Sequence, residues 1–187
     1  MQERETEVDR SMWDAVSLSI LVYWLAPAAA FVSTRRPVYL ALQACVIGCE
    51  LIVRGLHALP VVHPLMARPA HACDCNIFNG GGACGIKNGM PSGHVTITAF
   101  VLFGLLSTMA APEPGRARVA AALLWGVAAA LVALMGASRY ARGCHTAWQV
   151  LAGAALGAAM AYAFSAFKAP SPSMHEWVRL GSSKTTM

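Results

Sequence analysis

Five apolar runs separated by short polar breaks organise this chain. The first, Met12 to Thr34, follows a mixed-charge start and stops at Arg35-Arg36-Pro37, where charge and proline together oppose further helix. A second, Val38 to about Leu59, is closed by Pro60 and Pro64. The third starts near His94 and continues to about Ala111, ahead of a turn at Pro112-Glu113-Pro114-Gly115. The fourth extends from about Val119 to Ala137, and the fifth from roughly Ala147 to Phe167. Each approaches the roughly 20 residues of helix that cross a bilayer. The pattern predicts an all-α fold: an integral membrane helical bundle of about five transmembrane helices, one domain over residues 1–187, with residues 168–187 as a mobile tail.

Composition agrees with this picture, being 57% hydrophobic and only 12% charged. The net charge of +5 raises the question of nucleic acid, but the basic residues stand singly or in pairs between apolar runs. The partner predicted is the lipid bilayer, with no nucleic acid. Glu50 and Arg54, four apart in the second run, share a helix face and are expected to pair inside the bundle. Gly153 and Gly157 form a G-x-x-x-G spacing in the fifth run, which suits either a homodimer or close internal packing. Ala28-Ala29-Ala30 would suit signal-peptide cleavage, although the length and mixed-charge start of the first run favour a retained span.

With five spans, the long segment Val61 to Pro91 and the short stretch Ser138 to His145 fall on one side, together with the N-terminus. The other side holds Arg35, Arg36, Arg116, Arg118, Lys168, Arg179 and Lys184. The loop side carries Arg4, Arg10, Arg68, Lys87, Arg139 and Arg142, several of which stand within the short motifs of that side and are expected to serve chemistry rather than orientation. The positive-inside rule therefore assigns the loop side to the extracytoplasmic or lumenal face, an assignment that cleavage of the first span would reverse. Cys73, Cys75, Cys84 and Cys144 also lie on the loop side, whereas Cys45 and Cys49 lie within a span. An oxidising compartment would let the four loop-side cysteines pair, in one of three connectivities. The alternatives are free thiols, or a zinc site in which His71 joins Cys73, Cys75 and Cys84 through a C-x-C spacing tighter than the usual zinc pattern.

The loop side gathers Arg68-Pro69, Pro91-Ser92-Gly93-His94 at the mouth of the third run, and Ser138-Arg139 followed by His145 at the mouth of the fifth. Arginine matches phosphate oxygens with a planar fork, and histidine can attack phosphorus or carry a proton. Ser92 and Gly93 at the start of the third helix add backbone N–H groups and the positive end of a helix dipole. Taken singly, each piece is an ordinary helix start or an interfacial anchor; their order and shared side give them weight.

Together they resemble the signature of the type 2 phosphatidic acid phosphatase superfamily: K-x₆-R-P, then P-S-G-H, then S-R-x₅-H-x₃-D. Pro91 to His94 match in full, Ser138-Arg139 and His145 match the third motif at its spacing, and Arg68-Pro69 match the end of the first. Two positions depart. Val61 stands where the first-motif lysine is expected, with Lys87 the nearest replacement, and Gln149 stands in place of the aspartate. The string His145-Thr146-Ala147-Trp148-Gln149-Val150 is similar to H-T-W-S-Q-V of the dolichyl diphosphate phosphatase branch, which implies a polyprenyl diphosphate substrate.

The resemblance implies a metal-independent lipid phosphatase with no cofactor and a membrane lipid as substrate. His145 would be the nucleophile, oriented by Gln149, and His94 the proton donor to the leaving group. Arg68, Arg139, Ser92, Gly93 and Lys87 would bind phosphate. The competing expectation is a pseudophosphatase or scaffold that keeps the pocket without turnover. A channel or transporter would need polar residues through the spans, and apart from Glu50 and Arg54 these are scarce.

Overall fold

The computed structural model describes residues 12–69, 72, 75, 87–109 and 116–167. They form five helices. α1 covers Met12–Thr34 and is broken at Ser19, so that its regular part is Ile20–Thr34. α2 is Pro37–Ala58, α3 Gly93–Thr108, α4 Arg116–Ala141 and α5 Ala147–Phe167, with a 3₁₀ turn at Pro64–Met66 between α2 and α3. Four of them are long and apolar enough to cross a membrane, and α3 is a shorter apolar helix. The protein is an all-helical, multi-pass membrane bundle, as its hydropathy pattern predicts. The tail 168–187 and the turn at 112–115 lie outside the described residues.

α3 is the centre of the bundle and packs against each of the other four helices. Every residue from Val95 to Val101 is buried. The core around it includes Leu42, Val46, Cys49, Met135 and Ala161. Phe100 meets Phe164 edge to face, with ring centroids 6.3 Å apart. Large apolar side chains such as Leu25, Leu51, Leu123 and Leu151 point outward instead. That arrangement suits a protein whose solvent is lipid.

α5 meets α3 through small residues. Gln149, Gly153, Gly157 and Ala161, each four residues from the next, form its buried stripe. A Cβ on Gly153 would lie 2.7 Å from the Ser92 carbonyl oxygen, and one on Gly157 would strike the Thr96 carbonyl. Of the two readings of this spacing, internal packing is what the fold uses, so these glycines offer no free face to a second copy.

Three other expectations change. α4 continues to Ala141, past the predicted end at Ala137, because Ser138 returns its hydroxyl to the Met135 carbonyl at 2.8 Å and the helix stays intact through two polar residues. Gly143, at φ +65°, then turns the chain in a left-handed conformation that favours glycine. The third helix ends at Thr108, short of Ala111. Arg54 does pair with Glu50, Nε to Oε1 at 2.6 Å, but the arginine side chain is 74% exposed, so the pair lies on the outside of the bundle.

The loop-side cysteines resolve in part. Cys75 and Cys144 form a disulfide, which withdraws Cys75 from the alternative zinc set; His71, Cys73 and Cys84 lie outside the described residues. The N-terminal part of α1 reaches the same end of the bundle, where Asp14 pairs with Arg142 at 2.8 Å.

Gly157→Leu is expected to lose at least about 1–3 kcal/mol of stability through overpacking against α3, whereas Gly126→Leu, on an open face of α4, should stay within about 0.5 kcal/mol. Thermal unfolding of the two variants in detergent measures the difference.

Candidate active site

The start of α5 is built by a reciprocal cap. Thr146 precedes the helix and Gln149 is its third residue, the S/T-x-x-E/Q spacing of a capping box. The Gln149 backbone N–H donates to Thr146 Oγ1 at 3.4 Å, and the Thr146 N–H donates to Gln149 Oε1 at 3.2 Å. The same Oε1 lies 3.1 Å from His145 Nδ1. The Gln149 amide nitrogen donates to the Ala67 carbonyl at 2.7 Å and the Leu65 carbonyl at 3.1 Å. Carbonyls only accept, so the amide nitrogen must face the loop and its oxygen must face His145. Nδ1 of His145 therefore carries the hydrogen, and Nε2 keeps its lone pair.

His145 is 3% exposed. Burial first, then the charges of Arg68 and Arg139, hold its pKa down at about 3, against a smaller opposing effect of the Gln149 hydrogen bond; His57 adds a further lowering charge. The ring is thus neutral near pH 7. Burial also lowers the pKa of Arg68, which remains a cation.

A short two-stranded contact positions Arg68. Its N–H donates to the Lys87 carbonyl at 2.9 Å, Ala67 bridges Asn88, and the Gly89 N–H donates to the Met66 carbonyl at 2.7 Å. Gly89 is required here, because a Cβ would lie 2.7 Å from both Arg68 Cγ and Gln149 Oε1. Arg139, 1% exposed in the last turn of α4, donates through Nη2 to the Cys75 carbonyl at 2.7 Å and through Nη1 to Ser17 Oγ at 3.2 Å. The disulfide to Cys144 anchors that carbonyl next to His145.

Ser92 precedes α3 but makes no side-chain cap, so its hydroxyl does not compete for the first-turn N–H groups. Its own N–H donates to the Gln149 carbonyl at 3.0 Å. His94, in the first turn, feels the charges of Arg139, His145, Arg142 and Arg68. Four buried atoms of this group, Arg68 Nε, Ser92 Oγ, His94 Nε2 and Arg139 Nε, have no hydrogen-bond partner among the described residues. Leaving one such group unpaired costs about 1–3 kcal/mol, so four together mark a place made for a polar ligand.

The geometry thus brings together Arg68, Ser92, Gly93, His94, Arg139, His145 and Gln149, at one end of the bundle. A model of the PAP2 superfamily matches residues 64–171, more than half of the chain. The chain belongs to the PAP2 superfamily. No curated protein and no solved structure matches it. PAP2 membership makes the protein a phosphatase of the lipid-phosphate type, a phosphoric ester hydrolase.

In this cluster Lys87 takes part through its carbonyl, which accepts the Arg68 N–H, and its side chain is exposed. Sequence reasoning missed four residues. Ser17 lies in an apolar run far outside the motifs, and Gly89 gave no signal before its neighbours were known. Asn88 donates to the Leu56 and Leu59 carbonyls at 2.9 and 3.3 Å and so ties the loop to the end of α2. His57, whose Nε2 is 2.7 Å from the Pro91 carbonyl, was legible only as a polar interruption near the end of a span.

Gln149→Ala should slow turnover roughly 10- to 100-fold, the loss of one or two hydrogen bonds near 1.4 kcal/mol each, and steady-state rates with His145→Ala as the blank measure it. The His145 pKa supplies a second expectation. Its folded value of about 3 lies below the ordinary 6.5, so between those values the unfolded chain binds more protons. The stability this group contributes is complete above pH 6.5 and is lost as pH falls toward 3. After correction for substrate ionisation, kcat/KM should show no acid limb near pH 6.5 from His145, and NMR titration of its ring should show it neutral at pH 5.

Proposed function

We propose that this protein hydrolyses a lipid phosphomonoester or diphosphate, with a polyprenyl diphosphate of the dolichyl type as the favoured substrate, through a phosphohistidine on His145. The four unpartnered atoms of Arg68, Ser92, His94 and Arg139 carry this reading, because together they supply donors for a tetrahedral oxyanion beside a neutral imidazole. His145 Nε2 attacks phosphorus in line, forming the P–N bond as the bond to the leaving oxygen breaks. Arg68 and Arg139 hold the equatorial oxygens, with Ser92 and the Gly93 N–H adding hydrogen bonds. His94, held as an imidazolium beside the bound phosphate anion, gives its Nε2 proton to the leaving group and becomes neutral. Water then attacks phosphorus, His94 takes the water proton, and the P–N bond breaks to free phosphate and restore both histidines.

Two guanidinium groups and a helix N-terminus supply the positive charge that a metal supplies in other phosphatases, which supports a metal-independent reaction. The Thr146 and Gln149 pair, similar to the dolichyl diphosphate phosphatase string, supports the substrate choice. The Cys75–Cys144 disulfide, at the site end of the bundle, supports an extracytoplasmic or lumenal site, because such bonds persist in oxidising compartments.

Purified protein in detergent should release phosphate from a polyprenyl diphosphate about tenfold faster, by kcat/KM, than from phosphatidate. His145→Ala should release none, EDTA should leave the rate unchanged and vanadate should inhibit. No release from any lipid phosphate would instead favour a pseudophosphatase, and activity lost in EDTA and restored by zinc or magnesium would overturn metal independence.

A further inference from the structure

The family pattern places a lysine seven residues before Arg68, where this chain has Val61. Val61 lies beyond the Leu59 cap of α2 and is 37% exposed. Lys87 is exposed as well. Four residues before Val61, in the last turn of α2, His57 is half-buried and faces the site. Arg68, Glu50 and His145 are the charged or titratable groups that interact with it.

His57 Nε2 lies 2.7 Å from the Pro91 carbonyl oxygen, and since a carbonyl cannot donate, Nε2 must carry the hydrogen. The Pro91 carbonyl and the Ser92 N–H belong to one peptide unit. The Ser92 N–H is bound in turn by the Gln149 carbonyl at 3.0 Å. That peptide plane is therefore clamped from both ends, by α2 through His57 and by α5 through Gln149. One turn earlier on α2, Val53 lies against Gly93, where a Cβ would come within 3.2 Å of its Cγ1. The clamp fixes the peptide from which the first turn of α3 starts, and with it the direction of the first N–H groups of that helix.

We propose that His57 is a positioning residue of the phosphate site, holding the Pro91–Ser92 peptide so that the start of α3 is aimed at the transferring phosphoryl group. This rests on the phosphatase reading above. The role differs from simple packing, because it predicts loss of transition-state binding with little change in lipid binding.

The test compares His57→Leu with His57→Gln, whose amide N–H can still reach the Pro91 carbonyl, in full-length protein in detergent. His57→Leu should lower kcat roughly 10- to 100-fold and weaken vanadate inhibition in step, with KM within about threefold of wild type. His57→Gln should keep kcat within about fivefold. An unchanged kcat and vanadate affinity in the leucine variant, or equal losses in both variants, would overturn the proposal. Should the leucine variant not fold, His57→Asn, whose shorter amide falls short of the carbonyl, takes its place with the same expectations. If wild-type protein hydrolyses no lipid phosphate, the phosphatase reading fails separately. Vanadate affinity, measured calorimetrically on the same variants, then decides the role of His57.

Discussion

The side-chain amide of Gln149 commits both of its hydrogens to loop carbonyls at Leu65 and Ala67 and its oxygen to Thr146 and His145. Its backbone carbonyl takes the Ser92 N–H as well. One fully buried residue therefore joins the loop after α2, the start of α3 and the start of α5. Buried polar networks of this kind hold firmly only when every member is satisfied, and the amide of Gln149 is. The orientation of the His145 ring, the position of Arg68 beside Gly89 and the entry of α3 all follow from it.

A glutamine can do this where an aspartate would do something different. A carboxylate has two accepting oxygens and no hydrogens, so it could not satisfy the Leu65 and Ala67 carbonyls. The exchange of aspartate for glutamine and the course of the loop at 65–67 are therefore one structural solution. What the glutamine gives up is charge. An imidazolium at His145 gains no ion pair from it, and two nearby arginines press further against protonation.

Much of this was legible in the sequence. The apolar runs located the helices, since lipid-facing and core-facing residues alike must be apolar, and the motif spacings located Arg68, Ser92, His94, Arg139 and His145 at one end. Four-residue spacing also put Gln149 beside His145. The direction of its amide was not readable, because the carbonyls that fix it come from a segment more than eighty residues earlier in the chain. Nor was the end of α4, where Ser138 and Arg139 look like loop residues until a hydroxyl bond and a buried guanidinium account for them. Cysteine counting left three pairings, and only the fold joins Cys75 to Cys144. His57 gave no signal as a site residue, because its partner, a main-chain carbonyl, leaves no mark on composition.

The order of the helices along the chain bears on how such a site comes into being during synthesis. The residues that hold Arg139 are made early, Ser17 in α1 and Cys75 in the loop, whereas His145 comes just before α5 and Gln149 lies in its first turn. Until the glycine stripe of α5 settles against α3, the Leu65 and Ala67 carbonyls lack the Gln149 amide and the His145 ring lacks its orientation. A nascent chain halted before that step would hold Arg139 without an oriented His145, so the cluster is complete only once α5 has docked.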